Sequence, residues 1–221
     1  LKKLSIVNYQ LSINKMIVKL PGFQDLVRDS QVTFRTLLNA LSRPGVAQKI
    51  DVKLIPPSGL NLSLNVSCAA ACLTLFDLET KVWLQPGLGE EIKSWLLFHT
   101  GCSFTGDTKQ ADFAVIWDIN NVPDISQFKQ GTPVYPEDST TLLIMVGRQE
   151  IDMPYPSDKY PILSGAGIDG EITLDIILPD SFWQQWQQNH KSYPLGVDIY
   201  FFSNNEVVGL PRTSSIINLT V

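Results

Sequence analysis

The sequence predicts an α/β protein, a three-layer mixed sheet with helices on both faces. Segments with helical periodicity alternate along the 221 residues with short apolar segments. Two of these segments, 113–117 and 140–146, are apolar throughout, which is typical of strands buried on both faces. No internal repeat or clear linker interrupts this alternation. We therefore expect one domain over 16–221, preceded by an N-terminal extension over 1–15 that ends before Met16.

The first helix is predicted to begin at Asp29 or Ser30, either of which can cap it, and to end near Leu41. Ser-Arg-Pro-Gly at 42–45 ends the helix because proline cannot continue its hydrogen bonds. Its apolar residues form one stripe at helical spacing: Phe34, Leu37, Leu38 and Leu41. Three arginines at spacings of seven and eight project from similar sides: Arg28, Arg35 and Arg43.

The other elements follow from the same patterns. Further helices are predicted at 66–78, 90–99 and 181–190, with a short one at 125–129. Strands are predicted at 46–54, 81–84, 113–117, 140–146 and 172–177. Proline-containing loops are predicted at 56–59 and 148–158. The chain closes with a hairpin, 197–202 and 207–210, whose turn is Ser-Asn-Asn, and we expect it to add antiparallel strands to the sheet.

Composition excludes some classes of function. Hydrophobic residues make up 44% of the chain, charged residues 18%, and the formal net charge is −5. A chain with this charge has no overall attraction to nucleic acid or anionic lipid, although a local basic patch is compatible with it. No apolar run approaches the roughly 20 residues that span a bilayer, and 1–15 lacks the apolar core of a secretory signal. We predict a cytoplasmic protein that binds neither nucleic acid nor membrane.

Three cysteines, an odd number, argue against a disulfide framework. Cys68 and Cys72 share a helix face, and with Cys102 and His99 they could form a zinc site. However, 66–76 is an apolar helix in which cysteine is a common small core residue, and His99 and Cys102 lack the usual zinc spacing. We predict no metal. His99 is expected at a helix C-terminus, where it interacts favourably with the helix dipole.

A glycine-rich segment, Leu-Ser-Gly-Ala-Gly at 163–167, contains Gly165 and Gly167. The backbone N–H groups of such loops can bind phosphate, but this one lacks a third glycine and precedes a predicted strand. A tight turn is the favoured interpretation. The glutamine-rich helix near the C-terminus carries Trp183 and Trp186, for which inward packing is favoured over an interface. His190 ends this helix and is expected in solvent.

Asp198 and Arg212 are the most informative polar residues. A carboxylate within an apolar strand costs several kcal/mol if it is buried without a partner. The hairpin brings Arg212 back toward Asp198. A buried pair would be structural, whereas a pair lining a cleft could bind phosphate or phosphonate through the guanidinium. The two interpretations stay open. No nucleophile elbow, zinc-protease motif, paired carboxylates or Schiff-base lysine is present, so catalytic residues are unknown.

Short motifs in a fixed order carry a family resemblance over about 16–214. They are Pro-Gly-Phe at 21–23, Gln-x-x-Phe-Arg-x-Leu-Leu-x-Ala-Leu-Ser-x-Pro-Gly at 31–45, Thr-Lys-Val-Trp-Leu at 80–84, Phe-His-Thr at 98–100, Gly-Ala-Gly-Ile at 165–168, Pro-Leu-Gly-Val-Asp at 194–198 and Leu-Pro-Arg-Thr at 210–213. Together they resemble the H subunits of the bacterial carbon–phosphorus lyase core complex.

The resemblance implies a fold like that of pyridoxal-phosphate-dependent transferases but without the cofactor-binding residues, and therefore no cofactor. It implies a homodimer that joins G, I and J subunits. The complex would support displacement of adenine from ATP by a phosphonate at ribose C1, giving a ribose 1-phosphonate 5-triphosphate, and the chain alone would not be catalytic. The alternatives are a purely structural assembly subunit and a stand-alone nucleotide-binding transferase.

Six polar or glycine residues within the matching motifs are candidates for contact with ATP, a phosphonate or a partner subunit: Arg35, Gly165, Gly167, Asp198, Arg212 and Thr213. The family has no agreed catalytic residues on this subunit, so none is assigned here.

Overall fold

The structure is a computed structural model that describes residues 22–55, 64–147, 160–176 and 178–218. The predicted extension at 1–15 and the predicted loops at 56–59 and 148–158 lie outside the described residues. The main sheet has seven strands in the order β1-β9-β8-β5-β4-β2-β3. These strands are β1 (Gln48–Lys49), β2 (Lys81–Leu84), β3 (Ser103–Phe104), β4 (Phe113–Ile116), β5 (Thr141–Met145), β8 (Asp198–Ser203) and β9 (Glu206–Leu210).

The sheet is mixed, as predicted. The five strands β3, β2, β4, β5 and β8 run parallel to one another, β9 runs antiparallel to them, and β1 pairs antiparallel with β9 and so returns to the direction of the five. The hairpin prediction was therefore wrong in one respect, because its first strand does not extend an antiparallel edge. Instead β8 pairs in parallel with β5 in the middle of the sheet, with Thr141 opposite Asp198.

Helices cover both faces, so the three-layer prediction is confirmed. The first face is covered by α1 (Leu26–Ser42), α2 (Val66–Leu75) and α3 (Glu90–Thr100). The second is covered by α4 (Asp180–Lys191). Alternate side chains of each central strand enter the two cores because a strand has a period of two. In β5, Leu143 packs in the first core, and Leu142 and Ile144 pack in the second.

A small second sheet lies on the same side as α4. Its order is β10-β6-β7, formed by β6 (Ile162–Gly165), β7 (Ile172–Thr173) and β10 (Ser214–Ile216). Leu163 and Ile216 place it in the second core, and Nε1 of Trp186 donates to the carbonyl of Ser214 at 3.0 Å. Trp183 and Trp186 are thus buried, which confirms inward packing and contradicts the interface alternative.

Two predicted helix ends differ from the structure because side chains cap the helices elsewhere. The carboxylate of Asp25 accepts from the backbone N–H of Arg28, so α1 begins four residues before the predicted start. The second helix ends at Leu75 and not at 78. Asp77 forms a turn there, because its carboxylate accepts from the backbone of Thr80.

Two predicted strands are shorter than expected. Of 46–54 only Gln48–Lys49 pairs, and of 172–176, the described part of the second prediction, only Ile172–Thr173 pairs. Both lie at sheet edges, where a strand has a neighbour on one side alone. The predicted helix at 125–129 is a single 3₁₀ turn, Ile125–Gln127. The sequence did not predict β3 or β10 because strands of two or three residues are too short to show a period.

The stripe predicted on α1 does not form one buried face. Leu37 is buried, together with Thr33 and Ala40, whereas Phe34 and Leu38 are exposed. The helix therefore packs on one side and leaves apolar side chains on the other. In the described segments, no helix has both the length and the apolar character needed to span a membrane.

Candidate functional site

A cleft of about 400 Å³ opens at the amino ends of two central parallel strands. Thr141 is the first residue of β5, and Asp198 is the first residue of β8. The remaining described lining residues come from two loops and from the turn after β9: Pro136, Glu137, Ser139, Tyr193, Pro194, Arg212 and Thr213. The cleft therefore joins three segments that are far apart in the sequence.

Asp198 and Arg212 form a salt bridge in this cleft. The Arg212 backbone N–H donates to Oδ1 of Asp198 at 2.8 Å, Nε donates to the same oxygen at 3.2 Å, and Nη2 donates to Oδ2 at 2.6 Å. The Arg212 side chain is 11% exposed and that of Asp198 is 23% exposed. The pair is thus largely buried, and its geometry is the two-pronged arrangement that fixes a carboxylate most firmly.

The Arg212 guanidinium has no donor left over. Besides the two bonds to Asp198, Nη1 donates to the carbonyls of Pro136 at 2.9 Å and Pro194 at 3.2 Å, and Nη2 donates to Oγ of Ser139. A guanidinium has five N–H donors, and these five acceptors use all of them. This arrangement favours the structural interpretation of Arg212 over phosphate binding, because a phosphate would have to replace existing partners.

The loop before β8 is held in place by α4. Asn189, which is buried, accepts from the backbone N–H of Val197 at 2.8 Å and donates to its carbonyl at 3.0 Å. A Cβ on Gly196 would lie 2.7 Å from Oδ1 of Asn189, so only glycine fits this approach. Through these contacts with Val197, Asn189 positions the neighbouring Asp198.

Nδ1 of His190 lies 2.9 Å from the Arg212 carbonyl, so the expectation of a solvated His190 was wrong.

The opposite, carboxyl end of the parallel strands is where open α/β sheets commonly bind ligands. Here the buried Gln85 occupies the space between β2 and β4. Its Oε1 accepts from the backbone of Trp117 and Asp118, and its Nε2 donates to the carbonyls of Asp118 and Asn121. All four hydrogen-bonding positions of the amide are used. Gln85 therefore holds this end together and has no free group to offer a ligand.

The six predicted site residues do not converge on one site. Asp198, Arg212 and Thr213 line the cleft, and Gly165 lies behind it, where a Cβ would be 2.7 Å from the Thr213 carbonyl. Gly167 instead packs against the carbonyl of Ser42 at the end of α1. Arg35 is exposed on α1 and does not line the cleft.

The glycine-rich segment is part of a sheet and a tight connection. Gly165 pairs with Ser214 as the last residue of β6, and the backbone N–H of Ile168 donates to its carbonyl. Gly165 has φ +137° and Gly167 has φ +82°, conformations that side chains rarely adopt. Leu163, Ser164 and Gly165 thus belong to β6, a strand that the sequence did not predict, and the turn interpretation holds only from Gly165 to Ile168.

Sequence reasoning missed six residues of the cleft. They are Pro136, Glu137, Ser139, Thr141, Tyr193 and Pro194. Pro194 opens the motif at 194–198, but no local pattern shows that these loops meet Arg212. Among the described lining residues there is no histidine, lysine or cysteine, and the only carboxylates are those of Glu137 and Asp198.

Two ionisable groups near the cleft have shifted pKa values. Burial raises the pKa of Tyr200, and the charge of Asp198 raises it further. The Tyr200 hydroxyl donates to the Leu37 carbonyl at 3.2 Å and so joins β8 to α1. Burial acts to lower the pKa of Lys129, but its hydrogen bonds to Asp138 and Asp112 prevail, and the pKa is raised.

The cysteines belong to the core of the protein. Cys68, Cys72 and Cys102 are all buried. Burial raises the pKa of Cys72 well above its usual value, and the hydrogen bond between Cys72 and Cys68 raises it further. Among the described residues, no group of three or more histidine, cysteine, aspartate or glutamate side chains is arranged to hold a metal ion. The zinc-site alternative therefore has no support in the described part of the chain.

Fold and cleft together define the class: a three-layer α/β protein whose described cleft is lined by the Asp198–Arg212 ion pair. Residues 21–217 match the family model described as bacterial phosphonate metabolism protein (PhnH), and the chain belongs to this family.

Two curated proteins are similar to the chain. Subunit PhnH of alpha-D-ribose 1-methylphosphonate 5-triphosphate synthase from Rhizobium meliloti (strain 1021) is 34% identical over 197 residues, covering 88% of this chain and 94% of the relative. The putative C-P lyase subunit protein HtxG from Stutzerimonas stutzeri is 27% identical over 187 residues, covering 84% of this chain and 85% of the relative. Similarity to both extends over most of the chain.

Proposed function

We propose that the chain is a subunit of alpha-D-ribose 1-methylphosphonate 5-triphosphate synthase and acts in the catabolism of organic phosphonates. The observation that carries this proposal is the family match over residues 21–217, together with a relative of that name at 34% identity. The reaction of the whole complex would transfer a phosphonate to ribose C1 of ATP with release of adenine.

Within the complex we assign the chain a role in assembly and positioning, without catalytic chemistry of its own. The described lining of the cleft has no histidine, lysine or cysteine, and every donor of the Arg212 guanidinium is already engaged. These features support a structural role for Asp198 and Arg212. Thr213 is the remaining predicted site residue in the cleft that could contact ATP or a phosphonate directly.

The proposal includes a homodimer, partnership with G, I and J subunits, and a fold of the pyridoxal-phosphate transferase type. Five parallel strands with helices on both faces are compatible with such a fold. The proposal also includes the domain organisation expected from the sequence, a single domain over 16–221 preceded by an extension over 1–15. A stand-alone nucleotide-binding transferase is the second candidate, and neither the glycine segment nor Arg212 supports it.

Light scattering coupled to size exclusion tests the proposal. The chain is measured alone and then mixed with purified G, I and J subunits from the same source. We expect a homodimer that shifts into a larger complex of fixed stoichiometry. A chain that associates with none of the three and turns over ATP and methylphosphonate alone would contradict the subunit proposal and support the stand-alone enzyme.

A further inference from the structure

The exposed side of α1 combines apolar and cationic side chains. Val27 is 67% exposed, Phe34 is 47% exposed and Leu38 is 52% exposed. At 3.6 residues per turn these three side chains lie within about 40° of one another around the helix axis. They therefore follow one side of the helix over about 16 Å, with Gln31 between Val27 and Phe34, and we call these three apolar side chains the α1 strip.

Two arginines lie beside the α1 strip. Arg28 and Arg35 are exposed and are seven residues apart, so they form a parallel row on the same open side of the helix. In the described part of the chain neither guanidinium forms an ion pair. Both are free to pair with carboxylates of another molecule.

One exposed acid, Asp25, lies at the N-terminal end of this row, and none lies beside Arg35 on the open side of α1. Asp25 caps the helix by accepting from the Arg28 backbone N–H, and Asp29 is half-buried and accepts from the Asp25 backbone N–H at 3.2 Å. The other open-side residues are uncharged: Gln31, Asn39 and Ser42. The open side is therefore locally positive on a chain whose net charge is −5.

We propose that the α1 strip with Arg28 and Arg35 is the docking surface for another subunit of the synthase, one that presents apolar side chains flanked by carboxylates. This inference rests on the proposed function. Interface centres are enriched in aromatic residues and arginine and depleted in lysine and glutamate, as this surface is. One helix side is smaller than a standard interface, so the α1 strip is its centre and neighbouring loops complete it.

A second copy of the chain fits this surface less well. A two-fold interface places the same patch on both partners, so the arginine rows of two copies would face each other, with Asp25 at one end of each row as the one exposed acid of this helix. Like charges placed opposite each other oppose association. An anionic membrane fits less well too, because the net charge of −5 repels it and two arginines are few for a membrane-surface helix.

The test compares four variants for binding to the purified complex of the remaining subunits. Arg35→Glu reverses one charge beside the α1 strip, and Leu38→Ala truncates its centre. Lys109→Glu is the matched charge control, since it lies between β3 and β4 at the far edge of the sheet. Leu78→Ala is the matched apolar control, since Leu78 is 80% exposed outside α1.

We expect Arg35→Glu and Leu38→Ala each to raise the dissociation constant about tenfold or more, and the controls to stay within about twofold of wild type. Added salt should weaken binding of wild type more than of Arg35→Glu. Wild-type association that is unchanged by both α1 substitutions would overturn this inference and leave the proposed function intact. A wild-type chain that fails to bind the other subunits would overturn both.

Two further measurements distinguish the proposed partner from the two other candidates, a second copy of the chain and an anionic membrane. Light scattering of the isolated Arg35→Glu and wild-type chains reports the oligomeric state, and we expect no difference. A smaller mass for the variant would assign the surface to a second copy and overturn the proposal. Binding of wild type, but not Arg35→Glu, to phosphatidylserine-containing vesicles would assign it to a membrane and overturn the proposal as well.

Discussion

Asp198 and Arg212 are joined by three hydrogen bonds, one of which comes from the arginine backbone. The pair fixes the start of β8 against the turn that follows β9. Because the guanidinium also binds the carbonyls of Pro136 and Pro194, it joins three segments of chain at one point. These are the three segments that line the cleft.

Arg212→Ala should destabilise the protein by about 3 kcal/mol or more, because Asp198 would be left without its partner in a largely buried position. Urea denaturation measures the change in the free energy of unfolding. Arg35→Ala is the control and should change it by no more than about 0.5 kcal/mol, since Arg35 is exposed. Equal effects of the two substitutions would mean that the Asp198 pair is not a structural element.

Asn189→Ala should cost about 2 kcal/mol or more, because the N–H and carbonyl of Val197 would both lose their partner inside the protein. The same denaturation measurement applies. Asn39→Ala, on the exposed side of α1, is the matched control and should change stability by no more than about 0.5 kcal/mol. A neutral Asn189→Ala would show that α4 does not position the start of β8.

Gly167→Ala and Gly170→Ala separate two costs of adding a side chain. Both glycines have positive φ, +82° and +74°, and so both substitutions should cost about 1 kcal/mol for the backbone alone. A Cβ at 170 meets nothing, whereas a Cβ at 167 meets the Ser42 carbonyl, so Gly167→Ala should cost at least about 1 kcal/mol more. Thermal or urea unfolding measures the difference, and equal losses would contradict the packing of this segment on α1.

Stability should fall above about pH 10, and Tyr200→Phe should reduce that fall. A tyrosine in the unfolded chain loses its proton near pH 10, whereas burial and the Asp198 charge raise the pKa of folded Tyr200. Ionisation then favours the unfolded state, so the stabilisation is complete below pH 10 and is lost as pH rises toward the folded pKa.

The free energy of unfolding from pH 8 to 11 checks this pH dependence. Tyr135→Phe, at a tyrosine that is 61% exposed, is the control and should keep the wild-type slope. Tyr200→Phe should also lose about 1 kcal/mol at pH 7, because its hydrogen bond to Leu37 disappears. An unchanged alkaline slope in Tyr200→Phe would contradict the raised pKa.

Thr213→Val tests whether the cleft contacts substrate. No hydrogen bond of the Thr213 hydroxyl occurs among the described residues, so the substitution should change stability little. If the cleft only holds segments of the protein in position and does not bind substrate, the assembled synthase containing Thr213→Val should release adenine from ATP and methylphosphonate within about twofold of the wild-type rate. A loss of tenfold or more, with assembly intact, would assign the cleft to substrate binding.

The sequence by itself determined the class of fold and most of its elements. The apolar segments at 113–117 and 140–146 became strands buried on both faces, and the alternation of helices with strands indicated three layers. These features depend on periods of two and 3.6 residues, which local sequence displays directly. The same reasoning brought Asp198 and Arg212 together, because a hairpin sets its own register.

Only the tertiary structure decided what the pair does. The choice between structural and ligand-binding roles depended on whether the arginine had unused donors, and its remaining acceptors come from distant loops. Ser139 is 73 residues away and Pro136 is 76 residues away. Likewise, periodicity on α1 could not show that Phe34 and Leu38 are exposed, because that depends on which side the sheet covers. Local patterns encode the faces of each element, whereas strand order and loop paths decide which faces meet.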